Sequence, residues 1–168
     1  MRDLLIGNLC SLLGMATDSI GSTRKTAKGV LLMQALSQAI YCIGSIVLRG
    51  YSASVQNAVS VIRNLVATRD NRHKSVEWIL IILGLVLGLC FNNRGLFGLL
   101  PIIANLEYSL AVFRFKDNER ALKAAFSASI LMYAAFNALI LNLVGVLSNI
   151  VVLIMTLVFL VKDAKTSK

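Results

Sequence analysis

Arg63 and Glu107 are the two charged side chains that fall deep inside apolar runs of this sequence. In hydrocarbon a charge is costly, so such residues face a protein interior or a watery cavity and mark solute pathways, proton relays or counter-ions. Each lies about 12 residues from the same end of its predicted helix, about 18 Å down at about 1.5 Å of rise per residue. Equal depth admits an ion pair that would break as a cavity opens. Two other roles for Arg63 stay open: holding an anionic solute, or snorkelling its long side chain to the nearer membrane face. Glu107 could equally titrate as a proton site.

Amides and hydroxyls recur at helical spacing around these charges. Gln34, Gln38, Tyr41 and Ser45 form a stripe on one predicted helix, and Gln56, Ser60 and Arg63 share a face of the next. A thinner stripe, Ser129, Tyr133 and Asn137, follows in the second half, with Ser148 beyond it. Asn57 and Asn149 sit at matching depths of two helices, about 10 Å in. Two facing amides would offer donors and acceptors to a polyhydroxyl or amide-bearing solute. The same residues could instead be interhelical hydrogen bonds that hold a bundle together.

The constellations that enzymes need are missing. His73 is the only histidine and lies in the basic stretch R-D-N-R-H-K, so no histidine-based metal cluster or triad can form. Cys10, Cys42 and Cys90 lie singly in apolar stretches, without zinc-ligand spacing. There is no phosphate-binding glycine loop and no G-x-S-x-G elbow. Asp18, near the end of the first helix, is placed to pair with Arg24 or Lys25 as a structural contact. The sequence therefore implies no enzyme, no metal and no cofactor.

The elements that would position these residues come from composition. Of 168 residues, 57% are hydrophobic and 15% charged, against roughly 45–50% and 25% for soluble domains. That excludes a disordered chain and an ordinary soluble enzyme and implies an all-α, polytopic membrane protein. The apolar runs are Leu4–Ile20, Gly29–Leu48, Ser52–Ala67, Val76–Phe91, Gly95–Phe113, Ala121–Leu141 and Leu143–Val161, seven predicted helices. The first is the most interrupted by polar residues, and its apolar start lacks a basic lead-in or small-residue cleavage site, so a retained helix is expected.

The formal net charge of +9 sits between the apolar runs, where it sets orientation, rather than on one basic face that would bind nucleic acid. With the N-terminus outside, the inner segments hold Arg24, Lys25, Lys28, Arg69, Arg72, Lys74, Arg114, Lys116, Arg120, Lys123, Lys162, Lys165 and Lys168. The outer segments hold only Arg2, Arg49 and Arg94. This bias predicts an outside N-terminus and a cytoplasmic C-terminus.

The chain also aligns with itself. Displacing the second and third helices onto the sixth and seventh brings Tyr41 onto Tyr133, Ser37 onto Ser129 and Asn57 onto Asn149, and Asn8 of the first helix falls on Asn105 of the fifth. The predicted organisation is a triple-helix bundle over residues 1–75, a linker helix over 76–94 and a second triple-helix bundle over 95–168. One linker helix gives two three-helix repeats the same orientation, a known transporter plan. Pro101, the only proline, falls within the fifth predicted helix and is expected to kink it.

Residues 34–69, QALSQAIYCIGSIVLRGYSASVQNAVSVIRNLVATR, resemble the signature region of the YgjV-type bacterial inner membrane proteins. That family is similar in plan to the group of SWEET sugar facilitators, PQ-loop proteins and PnuC vitamin-precursor transporters. The resemblance implies a cytoplasmic-membrane location and a solute site lined by the matching asparagines, Asn57 and Asn149. The chain lacks the PQ dipeptide, and its only tryptophan, Trp78, lies on the linker helix. The expected function is facilitated movement of a small polar solute, such as a sugar, sugar acid or vitamin-like compound, by alternating access. The candidate contacts are Asn57, Asn149, Gln34, Gln38, Tyr41, Gln56, Tyr133 and Asn137, with Arg63 and Glu107 as a charged gate or solute pair. The lipid bilayer and the solute are the expected partners, and self-association is left open. The rival reading is a non-transporting membrane partner or assembly protein that uses its polar residues only for packing.

Overall fold

A computed structural model describes residues 2–69, 73–140 and 142–166, with side chains as far as Lys162. Among these residues it is all helix: α1 (Arg2–Ser22), α2 (Ala27–Val47), α3 (Tyr51–Ala67), α4 (Lys74–Cys90), α5 (Leu99–Arg114), α6 (Glu119–Leu139) and α7 (Leu143–Thr166). A 3-10 turn, Gly95–Gly98, leads into α5. Arg72, Leu141 and Lys168, and the side chain of Lys165, lie outside the described residues.

Among the described residues, five helical segments are long and apolar enough to cross a membrane: Arg2–Ser22, Ala27–Val47, Gly95–Arg114, Glu119–Leu139 and Leu143–Lys162. The interrupted first segment is among them. Helices α3 and α4 have 17 residues each, about 26 Å at 1.5 Å per residue against a hydrocarbon core of about 30 Å.

Polar caps start the helices at the basic end. Thr26 accepts a hydrogen bond from the Gly29 amide (3.2 Å) and Asn118 from the Ala121 amide (3.1 Å). At the other end α2 turns into α3 over Leu48–Gly50, with Arg49 in the left-handed region (φ 57°). Pro101 departs from expectation. Helix α5 begins at Leu99, so the proline occupies its first turn, where a missing N–H breaks few helical hydrogen bonds and no kink is required.

Consecutive helices pack against one another, and their short connections make neighbours antiparallel. Two further contacts, α3 with α5 and α1 with α7, close six helices into a ring in the order α1, α2, α3, α5, α6, α7. Helix α4 stands outside it, against α3 and α5. The polarity is inside out. Ile79, Ile82, Val86 and Leu89 of α4, Leu131 of α6 and Leu147 and Ile154 of α7 are exposed, while Gln34, Gln56, Asn57, Arg63, Asn64 and Asn105 are buried. An outer surface of this kind fits hydrocarbon and leaves the interior to satisfy the polar groups.

Two close approaches rest on glycine. A Cβ at Gly14 of α1 would run into the Tyr41 ring of α2, so Gly14 lets that ring lie flat against the α1 backbone. A Cβ at Gly88 of α4 would strike Nε2 of Gln56, the atom that donates to the Gly84 carbonyl (2.8 Å). Gly88→Ala should therefore displace the Gln56 amide and cost about 1–3 kcal/mol, the range for an unsatisfied buried group. Thermal unfolding in detergent checks this, and Ile82→Ala on the exposed side of α4 should have a much smaller effect.

Candidate functional site

The ring is divided along its axis. Toward the α1–α2 and α5–α6 connections it is packed with Leu31, Val112, Leu122, Phe126, Ile130 and Val152, all buried. Lys123 of α6 closes this end. It is 1% exposed, donates to the Arg24 carbonyl (2.8 Å), pairs with Glu119 (3.0 Å) and lies 3.1 Å from the Phe159 ring centre of α7. Toward the α2–α3 and α6–α7 turns the ring encloses a cavity of about 70 Å³, room for on the order of five waters. All six ring helices line it and α4 does not.

Its most ordered wall is the α3–α5 seam. Arg63, 2% exposed, donates from Nη1 to Asn105 Oδ1 (2.5 Å) and Ser109 Oγ (3.0 Å), and from Nε to Asn64 Oδ1 (3.0 Å). Its guanidinium lies 4.8 Å from the ring centre of Tyr108, within cation–π range. Asn105 also accepts from Ser60 (2.7 Å) and donates to Gln56 Oε1 (2.5 Å). Tyr108 in turn donates to Gln34 Oε1 of α2 (2.6 Å). A continuous polar chain thus runs from α2 through α5 and α3 to the backbone of α4.

Above this wall the side chains are less engaged. Gln38 Oε1, Tyr41 OH, Tyr133 OH and Asn149 Nδ2 are buried, line the cavity and have no hydrogen-bond partner among the described residues. Asn57 has only a long bond to Ser45 (3.3 Å), and Asn137 accepts one from Asn142 (3.2 Å). These groups come from α2, α3, α6 and α7. A buried polar atom without a partner costs about 1–3 kcal/mol, so this arrangement calls for water or a polar solute.

The structure therefore sorts the residues singled out from sequence. Asn57, Asn149, Gln38, Tyr41, Tyr133, Asn137 and Arg63 line one cavity. Gln34 and Gln56 do not, because their amides are engaged in the seam. Glu107 does not either. It is half-buried with Oε2 unpartnered, and it forms no ion pair with Arg63. Nor does Arg63 snorkel, being enclosed by the seam. Asp18 also departs from expectation: it turns inward, 4% exposed, and accepts from Ser37 Oγ (2.5 Å) instead of pairing with Arg24 or Lys25. The reason is its register, since Ser11, Gly14, Asp18 and Ser22 share the buried face of α1. Asn105, Tyr108 and Ser109 carry the seam without having been singled out as site residues. Their i, i+3, i+4 spacing on α5 was the available signal.

A family model of bacterial inner membrane proteins, Imp-YgjV, matches residues 5–167. The chain belongs to that family. No curated protein and no solved structure matches it. Membership places this YgjV-family chain in the bacterial inner membrane, in keeping with its apolar exterior.

Seam and cavity residues should respond differently to truncation. Asn105→Ala strands Arg63, Ser60 and Gln56 together and should cost at least about 2 kcal/mol. Asn149→Ala removes an amide whose Nδ2 has no partner and should stay within about 0.5 kcal/mol of the parent. Thermal unfolding of the two variants in one detergent measures the contrast.

Proposed function

We propose that this protein moves a small polar solute, of sugar, sugar-acid or vitamin-like kind, across the bacterial inner membrane through the cavity of its helix ring. All seven helices cross the bilayer in this reading, with the N-terminus outside. Helices α1–α3 and α5–α7 act as two bundles of like orientation, as in SWEET-type facilitators, and α4 is the linker between them. The cavity then faces outward, and the apolar packing around Lys123 is the cytoplasmic closure. Alternating access would tilt one bundle against the other at the α3–α5 and α1–α7 contacts.

The carrying observation is the convergence of unpartnered amide and phenol groups from both halves of the chain on one cavity. A packing or assembly protein would need the seam, but it has no use for polar atoms left without partners. The lining offers donors and acceptors of both kinds, which suits hydroxyl- and amide-bearing solutes. Arg63 has its Nε and Nη1 engaged and can offer a carboxylate only its Nη2.

A thermal-shift screen of the purified protein with sugars, sugar acids, nucleosides, vitamin precursors and short carboxylates should yield a stabilising solute. Asn149→Ala should abolish its effect and its uptake into proteoliposomes while remaining folded. Uptake unchanged in both Asn149→Ala and Asn57→Ala would contradict the assignment of this cavity as the route.

A further inference from the structure

Asp18 is a carboxyl group inside a membrane protein with no cation within ion-pair distance among the described residues. Arg24 and Lys25, its neighbours in sequence, form no ion pair with it, and Lys123 directs its ammonium to Glu119 and the Arg24 carbonyl. An ionised carboxylate so placed is costly, and the usual resolution is to take up a proton. Its surroundings serve either form. The Ser37 hydroxyl has one hydrogen and two acceptors in reach, Asp18 Oδ1 at 2.5 Å and the Gln34 carbonyl at 3.0 Å. With Asp18 ionised, Ser37 donates to the carboxylate. With Asp18 protonated, the carboxyl donates to Ser37 Oγ, and Ser37 turns its hydrogen to the Gln34 carbonyl. The Tyr41 hydroxyl approaches Asp18 outside hydrogen-bond geometry and has no other protein partner.

The position is two-sided. Asp18 lines the solute cavity, and it also lines a crevice too tight for water that runs toward the basic end between Ser22, Gln34, Lys123 and Thr156. Among the described residues it is the only ionisable one common to both. The titratable and charged groups that line these two spaces with it are Cys10 on α1, Tyr41 on α2, Lys123 and Tyr133 on α6, and Arg63 and Tyr108 across the cavity on α3 and α5. Helix α7 meets α1 through Ser148 and Thr156, neither of which titrates.

Resting on the transport reading, we infer that Asp18 is a proton-binding site that couples solute movement to proton movement. A proton enters from the cavity with the solute, is held on the Asp18 carboxyl hydrogen-bonded to Ser37, and leaves through the crevice when the basic end opens. The protein is then a proton–solute symporter rather than a passive facilitator.

The test uses the full-length protein in vesicles containing a pH-sensitive dye, with the stabilising solutes of the screen added outside. In the parent, solute entry should acidify the lumen. In Asp18→Asn the acidification should fall to that of protein-free vesicles, while solute exchange stays detectable. Infrared difference spectra of the parent across a pH titration should show a carboxylic C=O band that is absent in Asp18→Asn, and Ser37→Ala should move its midpoint. Solute entry without acidification in the parent, or acidification undiminished in Asp18→Asn, overturns the coupling and leaves transport standing. If Asp18→Asn fails to fold, carboxylic bands that neither shift in Asp18→Glu nor change midpoint in Ser37→Ala overturn it instead. Failure of every solute to enter parent vesicles defeats the transport reading, and the coupling with it.

Discussion

The amide of Asn105 holds the ring closed on one side. Its oxygen accepts from Arg63 and Ser60, and its nitrogen donates to Gln56, which reaches the backbone of α4. Parting the helices would strand these buried groups together, so α3, α4 and α5 are joined by the cost of separating them. Arg63 raises that cost, because a guanidinium that loses these acceptors remains a buried charge. The opposite contact, α1 with α7, uses neutral hydroxyls, Ser22 to Thr156 at 2.8 Å and Ser148 to the Ser11 carbonyl at 3.4 Å. The ring therefore has one seam built around a buried charge and its acceptors and one closed by neutral hydroxyls and helix packing.

The cavity depends on this inequality. Where the helices carry enough donors and acceptors to satisfy one another, they close into a seam. Where amides and phenols from α2, α6 and α7 outnumber their partners, the wall stays open to water or solute. Asp18 lies at the boundary between polar cavity and apolar packing.

The helices were legible in the sequence because the apolar runs are long and the breaks between them carry charge or glycine. The polar stripes were legible as faces, but a stripe does not say what covers it. Gln34 and Gln56 looked equivalent to Gln38 and Asn57 by spacing, and only the position of α5 engages the first two while leaving the others lining the cavity. Pro101 was misplaced because its run was read as one helix from Gly95, whereas a 3-10 turn precedes α5. Asp18 was hidden by nearness in sequence to Arg24 and Lys25. The α1 face it shares with Ser11 and Ser22 is the pattern that points it inward, and it becomes decisive only once α2 and α7 flank that face.

In the transport reading a solvated cavity opens to one side of the membrane between the two halves of the ring. Cysteine accessibility in intact vesicles tests it directly, with Cys10, Cys42 and Cys90 replaced and single cysteines placed at Asn57, Asn149, Leu122 and Thr156. A membrane-impermeant thiol reagent should label Asn57→Cys and Asn149→Cys from the side of the α2–α3 turn only, and leave Leu122→Cys and Thr156→Cys unlabelled. Asn57→Cys and Asn149→Cys both unreactive from either side would show a dry seam in place of a cavity and would contradict it.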